Sequence, residues 1–208
     1  MARPRTFDEA EVLERAVDLF REQGYESTSI PELITRLGIC RQSLYNAFGD
    51  KRGLYLAALE RYGEREVGTR LALLEADGSP LENLRTVIRG WAALATQCPG
   101  DGCLTVSAIV ANGDDPEALA IVERQVDRLE QGFRSALARA QSAGEVKAEA
   151  SPARLAGALI ATCYGLGVLS RLPGSGPRIG DAVAVMLGLI DDAASHDTAP
   201  MSAPPDEL

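Results

Sequence analysis

Residues 29–51 read SIPELITRLGICRQSLYNAFGDK, and this stretch decides the fold. Ser29 and Glu32 form an S-x-x-E capping pattern, which predicts that a short helix begins here. Gly38 predicts the end of that helix, because glycine readily adopts the positive φ of a C-terminal cap. A second short helix is expected over residues 41–48, ended by the Gly-Asp pair that follows it. The stretch therefore predicts two short helices joined by a tight turn.

Two helices joined in this way match a helix-turn-helix unit, whose second helix enters the DNA major groove. The second helix has an apolar side for packing, formed by Leu44, Ala47 and Phe48. Its other residues have side chains that suit base edges or phosphates, namely Arg41, Gln42, Ser43, Tyr45 and Asn46. Lys51 begins the next helix, where the exposed N–H groups and the ammonium favour an anion. Ordinary helix packing produces the same geometry, so at this point both DNA binding and plain packing remain open.

The motif from Thr28 to Leu54 resembles the N-terminal domain of TetR-family transcriptional regulators. The features that carry the resemblance are the Leu-Tyr-x-x-Phe core and the Lys three residues beyond its Phe. The resemblance covers about residues 7–60. It implies an all-α homodimer with a small DNA-binding domain and a larger ligand-binding domain. It also implies repression of a two-fold symmetric DNA operator that a small molecule relieves. By the same resemblance, Thr28, Ser29, Tyr45 and Lys51 meet phosphate and Phe48 belongs to the core. The sequence departs from the family pattern at Cys40, Asn46, Ala47 and Gly53.

Composition argues against an enzyme. The 208 residues include one histidine, His196, so Ser-His-Asp catalysis and multi-histidine metal sites are not expected, nor is any cofactor. The net charge is −9, but residues 1–62 carry 9 basic and 10 acidic residues, net −1, against 12 and 20, net −8, in residues 63–208. The acidic surface therefore lies outside the predicted DNA-binding unit. An all-helical enzyme and a protein-binding adaptor that has lost DNA binding remain the alternatives.

Helical periodicity continues through the rest of the chain, and the fold is predicted to be all-α with about nine helices. A Thr6-x-x-Glu9 capping pattern predicts the start of the first helix, which Gly24 ends. The later helices are expected over residues 51–75, 80–97, 102–111, 116–143, 152–172 and 179–194. The predicted division is a DNA-binding domain over 1–62, an effector-binding and dimerisation domain over 63–195, and a flexible tail over 196–208.

A ligand cavity between helices of such a bundle is apolar with a few polar groups. The candidate lining residues are Trp91, Leu94, Cys98, Cys103, Leu104, Ser107, Val110, Phe133 and Tyr164. Plain core packing of the same residues is the alternative.

Cys103 is a candidate sensor thiol. We expect Asp101 to cap its helix and to place Cys103 in the first turn, which lowers a thiol pKa, whereas the nearby carboxylate opposes that shift. A Cys98–Cys103 bridge is conceivable and an inert thiol is the alternative. Gly102-Cys103-Leu104 also resembles a TetR subtype that includes sensors of electrophiles or oxidants.

The uncharged run over residues 155–170 needs cover on nearly all sides, but at sixteen residues it is short for a membrane span of about 20 residues. The last two helices are therefore predicted to form a four-helix dimer interface. Its predicted residues are Leu155, Leu159, Ala161, Gly165, Val183, Leu187 and Ile190. A monomer with a buried helical hairpin is the alternative. Four scattered cysteines and the lack of an apolar leader point to the cytoplasm.

Overall fold

Nine α-helices and no β-strand make up the part of the chain described by the computed structural model, residues 7–97, 103–111 and 114–194. This confirms the predicted all-α class. In chain order the helices are α1 (Glu9–Gln23), α2 (Ile30–Leu37), α3 (Arg41–Phe48), α4 (Lys51–Leu74), α5 (Pro80–Gln97), α6 (Leu104–Ala111), α7 (Pro116–Ser142), α8 (Pro152–Leu169) and α9 (Gly176–Ala193). Predictions that concern Cys98, Asp101, Gly102, His196 and the tail lie outside the described residues.

Local capping fixes the start of the helix-turn-helix unit. The Ser29 hydroxyl accepts a hydrogen bond from the Glu32 N–H (3.3 Å), and Gly38 ends α2 at φ 69°. At the start of α1 the prediction was wrong in detail, because Asp8 and not Thr6 is the N-cap. The Asp8 carboxylate accepts from the Ala10 N–H at 2.9 Å, so it satisfies a first-turn donor that otherwise lacks a partner.

Three predicted helix ends shift by two or three residues. α8 ends at Leu169 and not at 172, and α9 begins at Gly176 and not at 179. The earlier start of α9 places Pro177 in its first turn, where a missing N–H breaks no helical hydrogen bond. α6 begins at Leu104 and not at 102.

Two clusters of buried side chains hold the helices together. The first, here called the N-terminal core, runs along the chain from Val12 to Tyr62 and also takes in Leu104 and Ala108 of α6 and Ile121 of α7. The second core begins at Val67 and contains side chains from α4, α5, α7, α8 and α9. α4 contributes to both cores, and α6 packs directly on α1. Movement of α4 or α6 therefore reaches the helix-turn-helix unit.

α8 is the helix in the described part of the chain that is long and apolar enough, by length and composition, to cross a membrane, with a mean hydropathy of 1.4. One such helix is weak support for a span, because core helices of soluble proteins pass the same test. Its inner side is buried against other helices through Ala156, Leu159, Ile160, Cys163 and Leu166. α8 is thus a core helix with one outer side left uncovered by its own chain.

Candidate nucleic-acid interface and internal cavity

α3 presents a polar face because its apolar side is anchored. Leu44 is fully buried in the N-terminal core, and Phe48 packs against the same core. This anchoring turns Arg41, Gln42 and Asn46 outward, together with Tyr45, whose side chain is 42% exposed. The side chains expected to read DNA therefore share one accessible surface.

The amides of Gln42 and Asn46 form a pair one turn apart on this surface. Gln42 Nε2 donates to Asn46 Oδ1 at 2.8 Å. The Asn46 amide keeps its two N–H donors, and the Gln42 amide keeps its carbonyl acceptor. Such donors and acceptors are the groups that bind the N7 and N6 positions of adenine.

α3 begins without a side-chain cap, as expected from a cysteine at this position. Cys40 is the N-cap residue, and its side chain accepts from none of the first-turn N–H groups. Its sulfur lies 3.3 Å from the Ser43 hydroxyl, and that hydrogen bond is the main cause that lowers the pKa of the exposed Cys40 thiol.

The start of α4 lies beside the same surface. The Asp50 carboxylate caps this helix by accepting from the Gly53 N–H at 2.7 Å. The Lys51 ammonium lies 4.3 Å from the centre of the Tyr25 ring and 3.5 Å from the Glu26 carbonyl. These contacts hold a positive charge at a helix N-terminus, which is a favourable arrangement for a phosphate.

Two basic or polar groups of the region face inward or are already paired, contrary to expectation. The Thr28 side chain is 1% exposed and donates to the Gly24 carbonyl at 2.7 Å, so it holds the turn before α2 and does not face DNA. The Arg52 guanidinium, close to Lys51 at the start of α4, binds both Asp115 oxygens at 2.8 and 2.9 Å. It also binds Glu117 at 2.9 Å. Arg52 therefore joins α4 to the start of α7, and it holds the pKa of Asp115 below its usual value.

A partly open cavity of about 150 Å³, here called the internal cavity, lies among α1, α4, α5, α7 and α8, beside the start of α6. Four of the predicted pocket residues line it: Trp91, Leu94, Cys103 and Tyr164. The remaining lining side chains include Arg21, Tyr62, Glu66, Arg70, Thr105 and Ser170.

Four predicted pocket residues lie elsewhere. Leu104 and Phe133 are fully buried and serve as core, because they point into the two cores and not into the cavity. The Ser107 hydroxyl is bound by Arg171 and lies in a separate groove beside α1. Val110 is on the surface.

Aromatic rings and a guanidinium form one wall of the internal cavity. Trp91 and Tyr164 meet edge to face, with ring centres 5.6 Å apart. The Arg70 guanidinium lies 4.4 Å from the centre of the Trp91 ring, and its Nη1 binds the Glu66 carboxylate at 2.9 Å. Burial raises the pKa of the Tyr164 hydroxyl above its ordinary value.

Cys103 lies at the cavity wall as a free, half-buried thiol. It immediately precedes α6 and is not in the first turn as predicted; its carbonyl accepts from the Ser107 N–H at 2.9 Å. The Tyr62 hydroxyl lies beside its sulfur, and burial, with a contribution from Cys103, raises the pKa of that hydroxyl. Cys163, by contrast, is fully buried, and burial raises the pKa of its thiol to about 12.

The cavity contacts the elements that carry the helix-turn-helix unit. Arg21 reaches it from α1. Thr105, which also lines it, donates to Gln125 Oε1 at 3.4 Å, and Gln125 Nε2 donates to the Leu59 carbonyl of α4 at 3.0 Å. The Gln125 amide fits because position 63 of α4 is glycine: a Cβ there would lie 1.9 Å from the amide carbon. An occupant of the cavity would thus contact Arg21 of α1 and Thr105 of α6, and Thr105 is linked to α4 through Gln125 of α7.

The outer side of α8 and α9 is apolar, but the predicted interface residues only partly coincide with it. Leu159, Val183 and Ile190 are buried and belong to the chain's own core, although Leu159 and Ile190 also line the groove between α8 and α9. Leu155 and Leu187 are half-buried and pack against that core, whereas Ala161 and Gly165 lie on the outer side. The outer α8/α9 face consists of Ala158, Ala161, Gly165, Val168, Val185 and Leu189, with Val185 65% and Leu189 54% exposed.

Sequence reasoning missed the charged cavity residues. Arg21, Glu66 and Arg70 lie in helices whose exposed sides also carry charges, and no local pattern separates the two groups. The four-residue spacing of Glu66 and Arg70 signalled a helical ion pair, but not that this pair faces a cavity.

Comparison with known proteins places both parts of the chain. Residues 12–58 match the family described as bacterial regulatory proteins of the tetR family, and residues 80–186 match the tetracyclin repressor-like C-terminal domain. The HTH-type transcriptional regulator YezE of Bacillus subtilis is 37% identical over 92% of this chain and all of its own length. The transcriptional repressor ComR of Escherichia coli is 27% identical over 81% of this chain and 82% of its own. The structure of a cysteine-substituted CifR in complex with a 26 bp operator DNA is 30% identical, with a TM-score of 0.74, and covers 89% of this chain and 98% of its own.

Proposed function

Because the chain belongs to the TetR family, and is a DNA-binding transcriptional regulator and not an enzyme, we propose that it acts as a homodimeric repressor that a small molecule releases from its operator. The observation that carries this proposal is the anchored α3 with its outward polar face. Ser29, Arg41, Gln42, Ser43, Tyr45, Asn46 and Lys51 are the proposed DNA contacts. We expect the protein in the cytoplasm, where it can reach bacterial DNA.

The outer α8/α9 face supports the dimer. Ala158, Val185 and Leu189 of this face line an apolar groove of about 370 Å³ between the two helices. Contiguous exposed apolar surface of this kind marks interaction sites, and two copies of the helix pair can cover each other as a four-helix bundle. A two-fold dimer carries two copies of α3, so its operator would be a palindrome with half-sites set by the dimer spacing.

The dimer is tested by sedimentation of matched variants. Leu189→Asp introduces a charge into the outer face, and Leu73→Asp introduces the same charge at an exposed leucine of α4. We expect wild type and Leu73→Asp to sediment at twice the mass of the 22.1 kDa chain and Leu189→Asp to shift towards the monomer. A wild-type monomer at micromolar concentration would overturn the proposal.

The position of the internal cavity supports ligand-controlled release. An occupant would touch Thr105 and Arg21, which connect to α4 and to α1. A ligand that binds one arrangement of these helices more tightly shifts the population towards it and changes how the two α3 helices are held.

Cys103 favours a second candidate within the same function, in which an electrophile or oxidant modifies the protein. The observation is its free thiol at the cavity wall. Operator binding is titrated with a quinone or peroxide in wild type and in Cys103→Ser. Loss of binding in the wild type alone supports this candidate, and equal loss in both proteins removes it.

The experiment that tests the main proposal is salt-dependent binding to the DNA upstream of the protein's own gene. We expect binding that weakens steeply as salt rises, because phosphate contacts release counterions. Binding that ignores salt and survives loss of the α3 side chains would favour an adaptor that no longer reads DNA.

A further inference from the structure

The size of the internal cavity limits its occupant. Its volume is about 150 Å³. An engineered protein cavity of about 150 Å³ binds benzene, so this volume suits one six-membered ring with a small substituent. Two fused rings would fill this volume almost completely, so we expect them to fit less well than one ring.

Arg70 supplies a directed pair of donors at this cavity. Its side chain is 13% exposed, and it lines the cavity from α4. Within the described part of the chain, its hydrogen bonds all run from Nη1, to the Glu66 carbonyl at 2.7 Å and the Glu66 carboxylate at 2.9 Å. The Nε–Nη2 edge is the other side of the same planar group. Two parallel N–H donors on such an edge match the two oxygens of a carboxylate.

The charges at the wall also favour an anion. Arg21, Arg70 and Glu66 line the cavity, which gives two positive charges and one negative charge. Arg65 binds the Glu66 carboxylate from outside the cavity at 3.3 Å, so that carboxylate is held between two guanidinium groups. A ligand carboxylate would therefore meet an excess of positive charge at this wall.

The aromatic wall defines the remainder of the ligand. Trp91 and Tyr164 meet at 5.6 Å in an edge-to-face pair, and the Arg70 guanidinium lies over the Trp91 ring. A flat ring can pack on such a wall with favourable offset or edge-to-face geometry. A puckered aliphatic ring of equal volume gains less from it.

From this geometry we infer that the internal cavity binds a monocyclic aromatic carboxylate, with its carboxylate on the Nε–Nη2 edge of Arg70 and its ring against Trp91 and Tyr164. The inference rests on the proposed function, in which this cavity is the effector site. It adds the chemical class of the effector.

Benzoate is the probe, and Trp91 reports its binding because the chain contains one tryptophan. Titration of the full-length protein is expected to change Trp91 fluorescence saturably. Benzyl alcohol, which keeps the ring but lacks the charge, is expected to bind about tenfold to a hundredfold more weakly, the factor lost with a charge-assisted hydrogen-bond pair. 2-Naphthoate tests the size preference and is expected to bind more weakly than benzoate.

Two arginine variants locate the carboxylate. Arg70→Gln removes the paired donors and is expected to weaken benzoate binding by the same factor. Arg61→Gln is the matched control and is expected to bind benzoate as wild type does, because Arg61 lies on the same helix, binds Glu14 and does not line the cavity. Arg70→Lys keeps the charge without the planar fork and is expected to fall between wild type and Arg70→Gln. Circular dichroism verifies that each variant is folded, and the comparison of benzoate with benzyl alcohol needs no variant.

Operator binding, measured in the same samples, separates this inference from the proposed function. If benzoate binds through Arg70 but the operator stays bound, the ligand class stands and ligand-controlled release fails. If the operator binds with the expected salt dependence while benzoate does not bind, or binds no better than benzyl alcohol, the ligand class is wrong and the DNA-binding function stands. Unchanged benzoate affinity in a folded Arg70→Gln protein also overturns the inference.

Discussion

Gly63→Ala tests how tightly α4 and α7 pack beside the internal cavity. A Cβ at position 63 would lie 1.9 Å from both Cδ and Nε2 of Gln125, far inside van der Waals contact. Gln125 is 4% exposed and donates to the Leu59 carbonyl, so its amide has little room to move. Overpacking of this kind costs about 1–3 kcal/mol, and displacing the buried hydrogen bond adds about 1 kcal/mol. Alanine regains about 1 kcal/mol of helix propensity, which leaves a net loss of about 1–3 kcal/mol.

A double-mutant cycle separates this contact from other effects of the new methyl group. Gln125→Ala alone removes the hydrogen bond to Leu59 and leaves space, at an expected cost of about 1–3 kcal/mol. In the double variant the methyl group introduced at position 63 occupies part of that space and the clash is gone. We therefore expect the double variant to be more stable than the sum of the single losses by about 1 kcal/mol or more.

The assay is urea unfolding followed by circular dichroism at one fixed protein concentration, since dimer formation makes stability depend on concentration. Gly68→Ala is the control, because a Cβ at this position of the same helix meets nothing within 4 Å. It is expected to be neutral or stabilising by up to about 1 kcal/mol. If Gly63→Ala is as stable as Gly68→Ala, or if the cycle is additive, the packing argument is refuted.

Three further predictions concern charge, thiols and the turn before α2. Asp115→Asn keeps an N-cap acceptor but loses the charge that binds Arg52. Because the pKa of Asp115 is lowered in the folded state, we expect wild type to have the higher Tm at pH values above the unfolded-state pKa of about 3.9. Wild type should lose this advantage as the pH falls through the lowered pKa of the folded state. Asp8→Asn is the control cap, and an equal, pH-independent difference in both variants would contradict the prediction. In native protein, iodoacetamide should alkylate the exposed Cys40 well before Cys163, because burial raises the pKa of the Cys163 thiol to about 12. Peptide mass spectrometry measures the two labelling rates, and comparable rates would disprove this prediction. Thr28→Val should lower the unfolding midpoint and leave the salt dependence of DNA binding unchanged, whereas a shallower salt slope would restore Thr28 as a phosphate contact.

Features decided by neighbouring residues could be predicted from the sequence. Ser29 as the α2 cap and Gly38 as the end of α2 depend on chemistry within three or four residues, and the structure contains both. The predicted cap of α1 was wrong because two side chains that can cap a helix lie two residues apart in the sequence, and the pattern does not choose between them. In the structure Asp8 is the N-cap.

Features that join distant residues could not be predicted. Arg52 and Asp115 are 63 positions apart, and nothing near either residue indicates the other. The same holds for the Gln125 amide, which reaches the Leu59 carbonyl across 66 positions. The dimer prediction named α8 and α9, which carry an exposed apolar face, but helical periodicity leaves the inward and outward sides of an apolar helix ambiguous. For that reason the prediction mixed the buried side chains of Leu159, Val183 and Ile190 with residues of the outer face.

We propose that the outward face of α3 and the start of α4 bind operator DNA. The most direct measurement is the affinity for the DNA upstream of the gene as a function of salt, in wild type, Tyr45→Ala and Lys51→Ala, with Lys147→Ala as a control lysine far along the chain. We predict that Tyr45→Ala and Lys51→Ala weaken DNA binding and that Lys147→Ala binds as wild type does. Lys51→Ala should also reduce the slope of log K against log salt concentration by about 1 for each phosphate that the lysine neutralises in a half-site. Unchanged binding in both the Tyr45 and the Lys51 variants would contradict the assignment of this face to DNA.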